Sequence, residues 1–447
     1  MDSKNSLFQY ELQKAGQATV LFFKDDKLPY IRYDLLFLKG GADFSSKPGL
    51  ASITSHLLDQ GAGGLSSEEI QEKLNSYGVE LSLDLERQNC FLSLSGLSQH
   101  KENLWELFKK IIAEPHFDLK ELEVLKKQYS ISRMEKFNSP SSIAIEVWRK
   151  EIFPKHPYGE PKSGTLPSLK EISLEEVKKF YQKQYKESAP VFIVVGQYDE
   201  ALKTDILSFL KKHFNTDKLS ASHSPVTTEK TGKTLLITRK DLVQSELIAG
   251  YALPPYPTTH PEKILALNLA NNIFGGSFNS KLVLHLREER GLAYSVTSSF
   301  TFNRKYGFFI LDGATKTQST GYFLKEALAL LQSFKEKGLT EKELSDSKNS
   351  LKGQFLRQME TMEYKARMFV YYHFQLGLKK DYLSNYLKLI DSISLKEVNQ
   401  VIKEYTFPDK LHIVIYGHPS VEEQLKNLEI PALQVIPFKE RFAGELP

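Results

Sequence analysis

The chain has 447 residues, 41% of them hydrophobic and 26% charged, the proportions of a globular protein with well-packed cores and more than one domain. Its 59 basic residues stand against 55 acidic ones, and the net charge of +4 is too balanced to argue for nucleic acid as a partner. The single cysteine, Cys90, excludes an internal disulfide, and no stretch reaches the roughly 18 apolar residues of a membrane span.

Residues 1–30 lack a basic segment followed by an apolar one, so the expected location is cytoplasmic. Strand-like sequence close to Met1 is also what removal of a signal peptide leaves, and a periplasmic origin stays open. The first informative stretch is Pro48-Gly-Leu-Ala-Ser-Ile-Thr-Ser-His-Leu-Leu-Asp-Gln-Gly61. Leu50, Ile53, Leu57 and Leu58 share one helical face and Ser52, Ser55, His56 and Asp59 the other. This predicts a polar stripe turned away from the core, and solvation accounts for it without a metal. Cys90 falls in an alternating strand pattern, where a small buried apolar residue is expected rather than a nucleophile. His156-Pro-Tyr-Gly159 reads as a tight bend. Val191-Phe-Ile-Val-Val-Gly196 reads as a strand, and the polar run 215–233 as a linker between domains 1–214 and 234–447.

Beyond the linker, Gly275-Gly276 forms a turn into a helix that ends at Gly291, after which a strand opens at Ala293-Tyr294-Ser295-Val296. Within that helix His285 has Glu288 and Glu289 three and four residues on. It lacks a second histidine, and solvent-facing helical charge accounts for the group. The chain also repeats itself: Ile172-Ser-Leu-Glu-Glu-Val recurs as Ile393-Ser-Leu-Lys-Glu-Val, and the strand ending at Gly196 recurs in Leu411-His-Ile-Val-Ile-Tyr-Gly417. Both matches share one offset of 221 positions (393 less 172, 417 less 196), which argues for duplication of a whole domain. Each half reads as strands, helices, a hairpin-like strand pair, more helices and a last strand. The predicted class is α+β, with two homologous domains, each a mixed sheet backed by helices.

Two motifs carry a family resemblance. Ser52-Ile-Thr-Ser-His56 stands where the inverted zinc motif H-x-x-E-H would stand, preceded by Pro-Gly-Leu-Ala and followed by Leu-Leu. Leu286-Arg-Glu-Glu-Arg-Gly-Leu-Ala-Tyr-Ser295 sets Arg287 and Tyr294 seven residues apart in the second half. In both, the chain resembles the inverzincin zinc peptidases, the superfamily of pitrilysin, insulin-degrading enzyme and the mitochondrial processing peptidases, over nearly its whole length. The resemblance implies a duplicated clamshell fold and a third zinc ligand, a Glu, about 76 residues past the second His of the motif. Counted from His56, that place is Ser132 or Arg133. Of Ser52, Ser55, His56, Ser132 and Arg133, only His56 is a zinc ligand by type, whereas a catalytic zinc needs three protein ligands and a water. With Ser at position 55 the general base is missing as well.

The resemblance therefore implies a chain that holds no metal and is inactive alone, paired with a homologous subunit whose intact H-x-x-E-H binds zinc. Arg287 and Tyr294 would serve that partner's site in peptide hydrolysis, since a Tyr hydroxyl can donate to a developing oxyanion and an Arg can hold a substrate carbonyl or carboxylate. Two alternatives stand beside it: a structural subunit that inherited the Arg and Tyr without using them, and a peptide-binding homologue acting as a homodimer. An Arg near a helix end and a strand Tyr are also ordinary structural features. H-E-x-x-H, phosphate-loop and dinucleotide motifs do not occur in the sequence.

Overall fold

The computed structural model describes residues 8–215, 232–256 and 260–446. These divide into two compact units, each built on a six-stranded sheet. Most of the predicted linker, residues 216–231, lies outside the described residues.

In the first unit the strands are β1 (Glu11–Ala15), β2 (Ala18–Lys24), β3 (Tyr30–Phe37), β4 (Glu80–Leu85), β5 (Cys90–Leu97) and β6 (Val191–Gly196), in the spatial order β1-β2-β6-β3-β5-β4. In the second they are β7 (Thr234–Thr238), β8 (Gln244–Leu253), β9 (Ala293–Phe302), β10 (Gly307–Lys316), β11 (His412–Gly417) and β12 (Leu433–Pro437), in the order β12-β7-β11-β8-β10-β9. The two orders correspond strand for strand from β2 and β7 onward. β6 runs parallel to β2 and antiparallel to β3, as β11 does to β7 and β8. Only the outermost strand differs: β1 is antiparallel to β2, whereas β12 is parallel to β7.

The strand repeat seen in the sequence is thus the central strand of each sheet. Every residue of β6 and of β11 is buried, which is why both read as continuous apolar runs rather than alternating ones: a strand covered on both faces has no solvent side. Ahead of each lies a capping box at the same offset. Ser173 and Glu176 cap helix Leu174–Phe180, and Ser394 and Glu397 cap helix Leu395–Tyr405. In both, the hydroxyl accepts from the third backbone N–H and the carboxylate accepts from the cap's own N–H, so two helix-end donors are satisfied together.

Each compact unit takes one helical segment from the other half of the sequence. The first comprises Met1–Met134, Glu160–Ser224 and Gln358–Phe374; the second comprises Glu135–Gly159, Pro225–Arg357 and Gln375–Pro447. In the first unit Phe369, from helix Met362–Val370, packs against Phe8, Tyr10 and Phe23, with its ring centroid 4.7 Å from that of Tyr10. In the second, helix Pro140–Ile152 buries Ile143, Val147 and Trp148 against Leu235, Ile237, Ile248, Val414 and Tyr416. The Trp148 indole donates to the His412 carbonyl at 3.2 Å. Gly250 on β8 leaves room for that indole, since a Cβ there would lie 2.6 Å from the Trp148 ring. Cys90 is fully buried and burial pushes its thiol up to about 12, which fits an inert core residue. His156 and Gly159 form the expected bend, with the His156 Nδ1 accepting from the Tyr158 N–H at 3.0 Å.

Candidate functional site

In the first unit the stretch that resembles a zinc motif forms helix Leu50–His56. Its polar residues do not face water as the periodicity predicts. Ser52 and Ser55 are buried, and His56 and Asp59 are half-buried. The reason is a second helix, Leu119–Lys136, whose Tyr129 reaches His56. The polar face is satisfied internally instead. Ser52 Oγ donates to the Lys162 carbonyl at 2.8 Å, and Ser55 Oγ donates back to the Ser52 carbonyl at 2.9 Å. His56 Nδ1 lies 2.9 Å from the Ser52 carbonyl and 3.0 Å from the Tyr129 hydroxyl. A carbonyl accepts only, which places the ring proton on Nδ1. Asp59 follows the helix and accepts from the Gln60 amide at 2.8 Å; burial raises its carboxyl above the usual range, with the Gln60 bond and His56 opposing.

Ser132 is exposed and Arg133 is buried, and the side chain that meets His56 comes one turn earlier on the same helix. Tyr129 was not singled out by spacing. Its phenol spans from one turn away the gap that a shorter carboxylate would have to fill from directly opposite. Burial pushes that phenol up to about 12, with a hydrogen bond to Ser52 opposing the rise. It is therefore a neutral hydroxyl at physiological pH. One imidazole, two serine hydroxyls and a neutral phenol supply neither the charge nor the donor set that zinc requires. Among the described residues there is no group of three or more His, Cys, Asp or Glu placed to hold a metal ion. The residues at this place do not fit zinc.

The second unit carries the other motif, and here two irregularities of the backbone set its geometry. Val283–Glu289 is a π-helical turn, wider than an α-helix, and it holds Arg287. Such turns recur at functional positions. Val283 and Leu286 anchor it in the core. After Gly291, which takes a left-handed φ of 61°, the Leu292 N–H bonds back to the Leu286 carbonyl at 2.8 Å. The chain therefore folds directly from the turn into β9. β9 pairs with β10 from Phe302 to Ser295, and then the register shifts: Ala314 faces Ser295, but Thr315 faces Ala293. Tyr294 is the extra residue of this bulge.

A bulge re-aims side chains by breaking the two-residue alternation, and the burial pattern shows it, since Tyr294 and Ser295 are both exposed. Tyr294 is 82% exposed, and its hydroxyl makes no hydrogen bond among the described residues. Arg287 is part-exposed. Its guanidinium stacks 5.4 Å from the ring centre of Phe278, itself 70% exposed, and lies 3.5 Å from Glu288. The expected surface helix with an Arg and a strand with a Tyr are both present, on elements that pack against each other, and the strand lies at the edge of the sheet. Among the described residues, β9 has no strand on its outer side. The sequence could not show the bulge or the π-turn, because both depend on pairing with β10 and on packing of the turn. Glu246 on β8 and Asp312 on β10 share the sheet face of Thr297, and Thr297 donates to Asp312 at 2.8 Å.

Comparison with known proteins follows the same lines. Residues 171–351 match the family described as the Peptidase M16 inactive domain. A curated relative, the "Non-peptidase homolog YmxG" of Helicobacter pylori, is 26% identical over 418 residues, 91% of this chain and 94% of the relative. The "Zinc protease PqqE" of the same organism is 24% identical over 425 residues, 91% of each chain. Among solved structures, the peptidase M16 inactive domain from Pseudomonas fluorescens superposes with a TM-score of 0.83 at 22% identity, covering 96% of this chain and all of that one. This establishes a shared two-domain M16 fold.

Proposed function

We propose that this chain, similar to M16 peptidase homologues of the inactive type, is the zinc-less subunit of a peptidase pair, lending Arg287 and Tyr294 to the site of a homologous partner that carries H-x-x-E-H. Zinc on the partner would supply Lewis acidity and activated water. This chain's part is electrostatic: the Tyr294 hydroxyl donates to the oxyanion that develops on the scissile carbonyl, and Arg287 holds a backbone carbonyl or carboxylate of the substrate. Substrates would be peptides bound in extended form along a sheet edge.

The observation that carries this reading is the exposure of both side chains, each borne on a backbone irregularity. A bulge and a π-turn interrupt regular hydrogen bonding, and here each carries an exposed side chain, Tyr294 and Arg287, on two elements packed against each other. A non-peptidase homologue and a zinc protease from one organism, both similar to this chain, support a division into two kinds of subunit.

The test is to capture the chain from its source organism, identify what co-purifies, and assay the pair for chelator-sensitive peptide hydrolysis. Arg287→Ala or Tyr294→Phe should then lower turnover about ten- to a thousandfold, the range for loss of one oxyanion donor, with the partner still bound. Unchanged turnover in both variants removes the proposal. The relative named as a non-peptidase homologue also favours a second reading, a scaffolding or peptide-binding homodimer. Self-association without a zinc-bearing partner and without hydrolysis would select it.

A further inference from the structure

We propose that His285 is a positioning residue: clasped between Glu289 and Glu326, it ties the π-helical turn that bears Arg287 to helix Thr320–Lys337, and it releases that turn on losing a proton. The catalytic consequence rests on the proposed role of Arg287; the clasp itself does not.

Both ring nitrogens are engaged. Nδ1 lies 2.9 Å from a Glu289 carboxylate oxygen, one turn along the same helix, and Nε2 lies 2.8 Å from a Glu326 carboxylate oxygen on the neighbouring helix. A carboxylate accepts only, so an imidazole that satisfies both must donate from both nitrogens, which only the imidazolium can do. The neutral ring has one N–H and turns a lone pair toward the other carboxylate, and one of the two bonds is lost. Glu326 is the better sheltered partner, with 19% of its side chain exposed against 65% for Glu289. Accordingly the bond to Glu326 is the main cause that raises His285 above its usual range, partial burial opposing and Glu289 adding to the rise.

The charged groups that face the ring are therefore Glu326 across the helix pair and Glu289 on its own turn. β9, the other element packed on the turn, is Ala-Tyr-Ser-Val-Thr-Ser-Ser-Phe-Thr-Phe and carries no charged side chain. Val283 and Leu286 fix the inner side of the turn in the core, and His285 fixes it laterally. Arg287 has no comparable hold, since its ion pair with Glu288 is long and both groups are part-exposed. A group whose folded-state pKa is raised contributes fully below its unfolded value and loses that contribution as pH rises through the folded value. The clasp is thus closed at mildly acid pH and opens above it.

The test uses the full-length chain labelled at histidine Cε1. An NMR titration, with His285→Gln to assign the resonance, should give a midpoint above 6.5 that falls toward 6.5 in Glu326→Gln. Hydrogen exchange across residues 283–295, corrected for intrinsic rates, should quicken as pH rises through that midpoint. In His285→Arg, whose fork can meet both carboxylates and stays charged, it should stay flat. A midpoint at or below 6.5, or identical exchange profiles in the wild type and His285→Arg, would overturn the proposal. In the purified pair, wild-type turnover should fall about three- to tenfold through the same midpoint while His285→Arg does not, because misplacement of a catalytic group costs rate. If Arg287→Ala and Tyr294→Phe are both as active as the wild type, the peptidase reading fails, and the clasp is still judged by its titration and exchange.

Discussion

Glu246 and Asp312 are diagonal neighbours across β8 and β10, half-buried on one sheet face. Burial, with repulsion from Asp312 second, pushes the Glu246 carboxyl up to about 7. Because the folded value exceeds the unfolded one, the favourable contribution is present below about 4.5 and is lost as pH rises through about 7. Glu246→Gln should therefore stabilise the protein at pH 8, by on the order of 1 kcal/mol once screening by water at a half-exposed site is allowed for, and hardly at all at pH 4.5. Thermal melts of both proteins at the two pH values check this. Around His56, Tyr129→Phe removes one hydrogen-bond partner from the buried Ser52 and His56 group and should cost about 1 kcal/mol in denaturant unfolding. At this scale the sequence was legible where local pattern decides the outcome, as in placing Arg287 near a helix end and Tyr294 at the start of a strand. Tyr129 was not legible, because it contacts His56 from 73 positions away and a family spacing marks where a ligand would sit, not which side chain closes the space it leaves.

Elements were legible in proportion to how far their own residues determine them. The run Val191–Gly196 and its counterpart announce buried strands by composition alone, and the Ser-x-x-Glu boxes announce the helices ahead of them. The polar face of Leu50–His56 went the other way, because periodicity reports which residues share a side and not what later covers it. The two boxes offer a check on the duplication. Ser173→Ala and Ser394→Ala should each cost about 1 kcal/mol, and the double variant should cost their sum if the two caps act independently; urea unfolding measures all three. Gly250 allows a sharper test of the second sheet. Gly250→Ala drives a methyl into the fully buried Trp148 ring and the β10 backbone, so a loss of about 2 kcal/mol or more is expected, with a red shift of tryptophan emission.

At the scale of the whole molecule the repeat predicts two domains in series, whereas each compact unit includes a segment from the other half of the sequence. Composition could not reveal that trade, since helices Pro140–Ile152 and Met362–Val370 are ordinary amphipathic segments that either sheet could cover. Residues 1–214 produced alone would lack Phe369 over Phe8, Tyr10 and Phe23, and residues 234–447 alone would lack Trp148. Each half by itself should be largely insoluble and should bind a dye that reports exposed apolar surface, while co-expression of both should restore soluble protein; soluble yield on centrifugation decides.

The same trade sets a timetable for the nascent chain. All six strands of the first sheet have left the ribosome once Gly196 emerges, yet the ring that covers their aromatic face is 173 residues further on (369 less 196). Trp148 waits longer still, for β11. The core between the first sheet and its own helices draws only on residues 15–214 and can close early, but the aromatic face awaiting Phe369 and the segment that carries Trp148 cannot, so synthesis of this protein should pass through a long interval of exposed apolar surface, and its yield should depend on chaperones that hold a growing chain.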